Sequence, residues 1–169
     1  PDGKQIAIVR STGGVAGEIW AVPAGSGTPR RLWTDPPGVY SDQEVFTADS
    51  KGLIYSSNRS GATNLWFAPL ESRQAPTQLT FGPGPDEFPS IARHGRIAFL
   101  NSRARSELFL HSFAGGRRRE LMAHSTTLWA PAFSPDGREI AYSRREADGL
   151  WHIWIVQVDG SAPRQLTSG

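Results

Sequence analysis

The chain has 169 residues, a net charge of +2 and no Cys, and 38% of its residues are hydrophobic, 10% aromatic and 20% charged. Its 18 Gly and 13 Pro are typical of a turn-rich β protein, and the composition excludes the collagen-like, coiled-coil and wholly disordered classes. The lack of Cys excludes disulfides, thiolate metal sites and a Cys nucleophile. No apolar run approaches the roughly 18 residues that span a bilayer, so we predict no membrane segment in this chain.

The basic residues of the chain are 16 Arg and only two Lys. A nucleic-acid surface usually carries a larger net positive charge, so we expect no nucleic-acid partner. The first residue is Pro rather than Met and lies inside a repeat, which indicates an excerpt of a longer or processed polypeptide.

Three short anchors recur in the same order along the chain. The first is a turn followed by an apolar strand, and its Asp-equivalent position falls at residues 2, 49, 94 and 136. The second anchor ends in an aromatic residue, at Trp20, Trp66, Phe109 and Trp154. The third anchor closes each unit, at Arg30–Leu32, Thr77–Thr80, Arg119–Leu121 and Arg164–Thr167. Because order and spacing hold through four units, the sequence contains four internal repeats, and we expect the recurring rings to pack between blades.

Each repeat contains short apolar runs separated by Gly, Pro, Asn, Asp and Ser, which is the pattern of strands joined by turns. In the last repeat the predicted strands are Trp129–Phe133, Arg138–Arg144, Trp151–Val158 and Arg164–Thr167. Four strands in about 40 to 45 residues are typical of one propeller blade. The sequence therefore predicts an all-β propeller segment with four antiparallel four-stranded blades, at approximately 1–34, 35–81, 82–123 and 124–169.

The first blade begins at its turn and lacks its first strand, so the predicted total is 15 strands. We expect the segment to belong to a propeller of about six to eight blades. Its end blades would expose apolar faces that neighbouring blades normally bury. We therefore expect either further blades in the native polypeptide or self-association of two copies through the incomplete ends.

The residues Phe133–Ser143, followed by Ile153–Ile155 and Arg164–Thr167, resemble the TolB-type, WD-like β-propeller repeat. Tyr55–Gly61, with Asn64–Trp66 after it, is similar to the Ser-x-Arg-x-Gly segment of the same repeat. The resemblance extends over all 169 residues. It implies the propeller fold and leaves the function open, because such propellers occur in periplasmic binding scaffolds, in regulators and in peptidases.

An Asp recurs in the turn between the first two strands, as Asp2, Asp49 and Asp136. Asp accepts hydrogen bonds from the backbone amides ahead of it in tight turns, and we interpret these residues as structural rather than as metal ligands or acids. The third repeat departs from the pattern, with Ala92–Gly95 in place of Ser-Pro-Asp-Gly.

Arginines recur in or beside the turn after the second strand of each repeat. They are Arg10, Arg59, Arg103, Arg105, Arg144 and Arg145. Because equivalent turns of a propeller lie on one face, we predict an arc of guanidinium groups that could bind a carboxylate, phosphate or sulfate. The alternative is that each Arg is a repeat feature that bonds loop carbonyls or the next blade. Acidic loop residues such as Asp42 and Glu146 would also neutralise the arc.

The long connections between blades are expected on the same face as the arginines. They supply ring side chains, which are Trp33, Tyr40, Phe81, Phe88, His124 and Trp129. Aromatic residues beside Arg are the typical composition of protein-binding hot spots. We take Tyr40, Phe81, His124 and Trp129, together with the arginines, as the candidate binding face.

The sequence carries no motif for catalysis, a metal or a cofactor. A G-x-S-x-G nucleophile elbow is absent, the four His residues form no ligand signature, and prolines interrupt the closely spaced glycines of Phe81–Pro85. We therefore predict no catalytic residues, no metal and no cofactor.

These observations favour a non-catalytic scaffold that binds a protein or a peptide, with an anionic ligand as a further candidate. One alternative is a substrate-gating propeller of a prolyl-oligopeptidase-like serine peptidase whose catalytic domain lies outside this chain. Another is a ligand- or glycan-sensing propeller of a signalling protein. The residues leave the compartment unknown, and the family resemblance favours a bacterial, extracytoplasmic and periplasmic location.

Overall fold

The structure is a computed structural model and describes residues 2–11, 17–71, 74–102, 106–113, 116–146 and 149–168. These residues form 15 β-strands and no helix, which confirms the predicted all-β class. No helical segment that could cross a membrane is present in this part of the chain. The chain divides into two compact units, unit 1 (Pro1–Pro83) and unit 2 (Gly84–Gly169).

Unit 1 contains two antiparallel sheets. Sheet I has three strands in the order β1-β2-β3, and sheet II has four in the order β4-β5-β6-β7. The strands are β1 (Gln5–Ser11), β2 (Gly17–Pro23), β3 (Arg30–Thr34), β4 (Ser41–Phe46), β5 (Gly52–Ser57), β6 (Asn64–Pro69) and β7 (Thr77–Gln78). Each strand pairs with its neighbour in sequence because short turns join them, as in a propeller blade.

Unit 2 contains two antiparallel four-stranded sheets, sheet III (β8 to β11) and sheet IV (β12 to β15). Their strands are β8 (Asp86–Ile91), β9 (Arg96–Ser102), β10 (Ser106–Ser112), β11 (Arg119–His124), β12 (Leu128–Phe133), β13 (Glu139–Arg145), β14 (Trp151–Gln157) and β15 (Arg164–Gln165). The strands of sheet IV agree with the sequence prediction to within one or two residues.

Equivalent strand positions form the core of each unit. In unit 1, Leu53 and Tyr55 of sheet II are fully buried and pack with Ile19 of sheet I. In unit 2, Ile140 and Tyr142 occupy the same repeat positions in sheet IV and pack with residues of sheet III. Period-2 alternation thus places one face of the second sheet against the first in both units.

The turn between the first two strands of a blade keeps its geometry in the divergent third repeat. The amide of Gly95 donates to the carbonyl of Ala92 at 2.9 Å, as the amide of Gly137 donates to that of Ser134 at 2.8 Å. Gly95 and Gly137 have φ of 72° and 69°. The glycine supplies the left-handed conformation in both turns, so the turn forms without its Asp.

The first strands of sheets II, III and IV each carry a β-bulge at the same repeat position. A residue other than Gly takes a positive φ at each bulge, with values of 60° at Gln43, 54° at Phe88 and 48° at Ala130. Such strained residues persist only where the surrounding structure holds them, and bulges redirect nearby side chains. The bulges therefore shape the edge strand of each of these sheets.

Candidate functional site

Arg59, predicted as part of the anion-binding arc, is engaged inside unit 1. Its guanidinium forms an ion pair with Asp35, whose side chain is fully buried. The guanidinium carbon lies 4.5 Å from the ring centre of Trp33 and 5.2 Å from that of Trp66. The indole N–H of Trp33 also donates to Asp35 at 2.9 Å. Through these contacts Arg59 links sheet I to sheet II.

Arg144 is engaged in a comparable way in unit 2. Its guanidinium pairs with Glu146 at 2.6 Å and lies 3.5 Å from the ring centre of Trp154. The indole N–H of Trp154 donates to the same carboxylate oxygen at 3.1 Å. An Arg, an acid and the recurring Trp of the third strand therefore form one cluster, in which the acid neutralises the cation.

A third cluster of this composition lies in sheet I. Glu18 accepts hydrogen bonds from Trp20 at 3.1 Å and from Arg31 at 2.9 Å, and Arg10 approaches the carboxylate to 3.8 Å. The hydrogen bonds from Arg31 and Trp20 lower the pKa of Glu18 below its usual value. Of these cations Arg10 is the most solvent-exposed. Glu18 and Asp35 were not predicted from the sequence, although Glu18 lies two residues before the recurring aromatic Trp20.

The remaining arginines of the predicted arc have fewer described contacts. Arg145 is exposed, and its Nε donates to the carbonyl of Gly149 at 3.3 Å. Arg103 and Arg105 lie outside the described residues. That the recurring arginines share one face of a single propeller stays a prediction.

The predicted ring residues Tyr40 and Phe81 lie in unit 1, and His124 lies in unit 2. Tyr40 is 55% exposed and donates from its hydroxyl to Asp42 at 2.8 Å, whereas Phe81 is 73% exposed in a connection. His124 ends β11, and its Nδ1 lies 2.8 Å from the hydroxyl of Thr126. That these three side chains contribute to one binding face stays a prediction.

Trp129 is the predicted residue that the structure places in an aromatic cluster. Its ring centre lies 4.9 Å from that of Phe88 and 6.1 Å from that of Trp151, the latter in an edge-to-face arrangement. Trp129 and Trp151 remain 49% and 46% exposed. We name these three rings of unit 2 the aromatic patch. Arg145 pairs with Trp151 across β13 and β14, so a cation lies beside the patch.

The indoles of the aromatic patch are not part of the repeat pattern. The positions equivalent to Trp129 hold Asp42 in the second repeat and Glu87 in the third. The recurring aromatic anchor occupies other positions, which Trp66 and Trp154 hold in sheets II and IV. Blade packing therefore does not require an indole at the position of Trp129. Trp151 was missed by sequence analysis, because it lies at the start of an ordinary strand pattern.

The turn aspartates bond backbone amides next to them in sequence. Asp49 accepts from the amide of Lys51 at 3.0 Å, and Asp136 accepts from the amide of Arg138 at 3.1 Å. The hydroxyl groups of Thr47 and Ser134 donate to Asp49 and Asp136 and have the largest effect in lowering the pKa of these carboxyls. The two backbone amides lower it further. Asp2 accepts from the amide of Lys4 at 3.0 Å. Within the described ranges, no three His, Asp or Glu side chains come together as a metal site.

No protein-family model matches the chain. Over 143 residues, which are 85% of this chain, it is 25% identical to the uncharacterized peptidase YuxL of Bacillus subtilis and covers 20% of that protein. The structure superposes on TolB from Acinetobacter baumannii with a TM-score of 0.84 and 23% identity, covering 99% of this chain and 41% of TolB. It superposes on a puromycin-hydrolyzing peptidase of Mycobacterium tuberculosis with a TM-score of 0.75 and 16% identity, covering 98% of this chain and 27% of the peptidase.

The fold of the chain is therefore that of a TolB-like β-propeller, which confirms the fold predicted from the sequence. The same fold is present in peptidases, so it does not by itself distinguish a binding scaffold from part of an enzyme. The chain spans one fifth of the curated peptidase and less than half of either solved structure named above.

Proposed function

We propose that this propeller segment is a non-catalytic platform that binds a protein or a peptide through the aromatic patch of unit 2. The single observation that supports it most is the exposure of two neighbouring indoles, Trp129 and Trp151, at 49% and 46% of their surface. Large aromatic side chains usually bury most of their surface, and clustered exposed ones mark interaction sites.

The geometry of the patch suits recognition. Trp129 is held between Phe88 and Trp151 by ring contacts, so little side-chain entropy remains to be lost on binding. The strained backbone at Phe88 and Ala130 fixes the direction of the neighbouring side chains. Arg145 supplies a cation at the rim, and Trp with Arg is the composition in which binding hot spots are enriched.

The proposal is tested with a random peptide library displayed on phage and selected against the chain. We expect Trp129→Ala and Trp151→Ala each to weaken the binding of recovered peptides by about 30-fold, the loss typical of a hot spot. Phe81→Ala is the matched control, because Phe81 is 73% exposed in unit 1, and it should leave affinity unchanged. Recovered peptides that bind both Trp variants as tightly as the parent chain would refute the proposal.

A second candidate function is that of a propeller that gates substrate entry in a serine peptidase. The likeness to a Bacillus subtilis peptidase and to a puromycin-hydrolyzing peptidase supports it. In that case the nucleophile lies outside this chain, which has no G-x-S-x-G motif of its own. The sequence of the parent gene tests this candidate, because a hydrolase domain with that motif after the propeller favours it and the lack of one counts against it.

The parent protein is proposed to act outside the cytoplasm, as the TolB-type resemblance implies. Cell fractionation of the source organism, with antibodies against the chain, tests the location. Recovery of the protein with cytoplasmic markers would contradict it.

A further inference from the structure

The repeat brings one pair of sheet faces together inside each unit. In unit 1, Ile19 of sheet I packs with Leu53 and Tyr55 of sheet II. In unit 2, Leu108 of sheet III and Tyr142 of sheet IV belong to one core in the same way. Ile19 and Leu108 share a repeat position, because each lies one residue before the recurring aromatic anchor. The first sheet of a unit therefore uses this position to contact the second strand of the next blade.

A leucine of the fourth strand supports the same contact. Leu32 of β3 packs against the core of unit 1, and Leu121 of β11 packs against the core of unit 2. Both leucines belong to the third sequence anchor, two residues after Arg30 and Arg119. Two apolar positions thus mark the face of a blade that packs on the next one.

Sheet IV presents both of these positions to solvent. Ile153 precedes the aromatic anchor Trp154, and Leu166 is the leucine of the third anchor. The amide of Leu166 donates to the carbonyl of Ile153 at 2.7 Å, so the two residues are neighbours in the sheet. Ile153 is 40% exposed and Leu166 is 54% exposed, whereas Ile19 and Leu108 are fully buried. We name the surface formed by Ile153 and Leu166 the outward face of sheet IV.

The side chains beside Ile153 keep the outward face of sheet IV apolar. Across β13 and β14, Ile153 pairs with Ser143, and Ile155 pairs with Ala141. Alternate residues of a strand lie on one face of the sheet, so the two isoleucines share a face on which the side chains opposite them are small and uncharged. Val156 lies on the other face of β14 and is fully buried in the core of unit 2.

Sheet I presents the positions that such a face contacts. Ile6 and Ile8 of β1 occupy the repeat positions of Leu53 and Tyr55, and they are 53% and 44% exposed. A depression of about 340 Å³ lies over this part of the sheet. The outward face of sheet I consists of the apolar residues on this side of β1 and β2, which are Ile6, Ile8, Trp20 and Val22. Both sides of the blade contact therefore occur, exposed, in the same chain.

The charged groups next to the outward face of sheet I are paired with one another. Glu18 binds Arg31 at 2.9 Å and lies 3.8 Å from Arg10. Burying an unpaired charge would oppose association. An apolar partner can cover the outward face of sheet I without that cost, because Glu18 already neutralises the neighbouring cations.

We propose that the outward face of sheet IV in one copy of the chain binds the outward face of sheet I in a second copy. Ile153 and Leu166 then pack against Ile6 and Ile8 of the other molecule. A second copy is the occupant because it carries the face that the repeat pairs with this one, as the contact of sheet I with sheet II shows. The contact is heterologous, since each copy uses a different surface.

The proposal goes beyond the proposed function and can fail independently of it. It rests on Ile153 and Leu166, whereas peptide binding by the aromatic patch rests on Trp129 and Trp151. The self-association measured here needs no peptide, so its loss or absence leaves the peptide measurements unaffected.

The test uses Ile153→Lys and Ile8→Lys, which place a charge on one face each. Sedimentation velocity from low to high micromolar concentration should show that either substitution weakens self-association at least about tenfold, as expected for the centre of an interface. Circular dichroism checks that both variants fold, which we expect because both side chains are solvent-exposed. Phe81→Lys is the control, because Phe81 is 73% exposed and belongs to neither face, and it should leave self-association unchanged.

Mixing the two variants tests whether the contact is heterologous. The Ile8→Lys chain keeps the outward face of sheet IV, and the Ile153→Lys chain keeps that of sheet I. An equimolar mixture should therefore form a one-to-one complex that neither variant forms alone. Self-association that persists in one of the two variants would show that a face binds itself and would overturn the proposal. A parent chain that stays monomeric at high micromolar concentration, or a mixture that stays monomeric, would overturn it as well.

Discussion

Arg59 and Asp35 form an ion pair that links two sheets of unit 1. Asp35 lies in the connection from β3 to β4, and Arg59 lies in the turn after β5, 24 residues further along the chain. The side chain of Asp35 is fully buried and that of Arg59 is 15% exposed, and the rings of Trp33 and Trp66 flank the guanidinium. Removal of one partner would leave an uncompensated charge in this site.

We therefore expect Arg59→Leu to lower the free energy of unfolding by about 3 to 5 kcal/mol, the usual cost of breaking a buried ion pair. The double variant with Asp35→Asn should recover part of that loss, because it no longer buries an unpaired carboxylate. Urea denaturation followed by circular dichroism measures both. Arg10→Leu is the control, because Arg10 is 65% exposed and 3.8 Å from Glu18, and exposed pairs contribute about 0 to 1 kcal/mol. Equal losses for Arg59→Leu and Arg10→Leu would contradict the assigned burial.

Gly52 is required by the close approach of an aromatic ring. A Cβ at this position would lie 2.0 Å from the Cε2 atom of Phe67 and 3.1 Å from the carbonyl of Ala68. Gly52→Ala should lower the free energy of unfolding by about 1 to 3 kcal/mol, since overpacking forces neighbouring groups to move. Gly25→Ala is a matched control, because a Cβ at Gly25 meets no atom within 4 Å. Thermal unfolding of the two variants makes the comparison, and equal melting temperatures would contradict the steric assignment.

Glu44 should make the stability of the chain depend on pH. Burial, and secondarily the nearby charge of Asp42, raise the pKa of Glu44 above its usual value of 4.5. The folded state therefore holds this proton more tightly than the unfolded state, and the stabilisation is lost as pH rises through the folded pKa. Glu44→Gln should stabilise the chain at about pH 7 and have no such effect at about pH 3. A stabilisation of the same size at both pH values would show that the charge of Glu44 is not the cause.

The outward face of sheet I should promote self-association. Ile6 and Ile8 are 53% and 44% exposed, although they occupy the repeat positions of Leu53 and Tyr55, which are fully buried in sheet II. Exposed apolar sheet faces drive association. We expect sedimentation velocity at low micromolar concentration to show self-association of the bare chain, and Ile8→Lys to shift it toward monomer. Phe81→Lys, another exposed apolar residue, is the control, and a parent chain that sediments as a monomer would refute the prediction.

The strand content was predictable from the sequence because it depends on local rules. Alternating apolar residues, as in Glu139–Arg145, produce strands, and a Gly at the left-handed position produces the turn that ends at Gly137. The third repeat shows how local the rule is, since Gly95 alone maintains the turn where the Asp is missing. Four copies of one pattern then indicated stacked blades of a propeller.

The partner of Arg59 depended on the tertiary structure. Arg59 and Arg144 occur in recurring segments and were predicted either as an anion-binding arc or as repeat features, with loop acids such as Glu146 neutralising them. Glu146 pairs with Arg144, whereas the partner of Arg59 is Asp35, which was not predicted. Asp35 is distant in sequence, and only the packing of sheet I on sheet II brings it to Arg59. Sequence periodicity predicts the position of a residue on its strand or turn. The buried ion pair that such a residue forms depends on which charged side chains the packing of the sheets brings to it.

The same distinction separates the aromatic patch from the repeat pattern. Trp129 and Trp151 are 22 positions apart, so they do not form a local motif. The sequence alone determined the strands, the turns and the blade repeat, because hydrophobic alternation and backbone sterics act over a few residues. Tertiary packing alone decided that two indoles stay exposed side by side, because that outcome depends on how side chains from different strands fill the space between them.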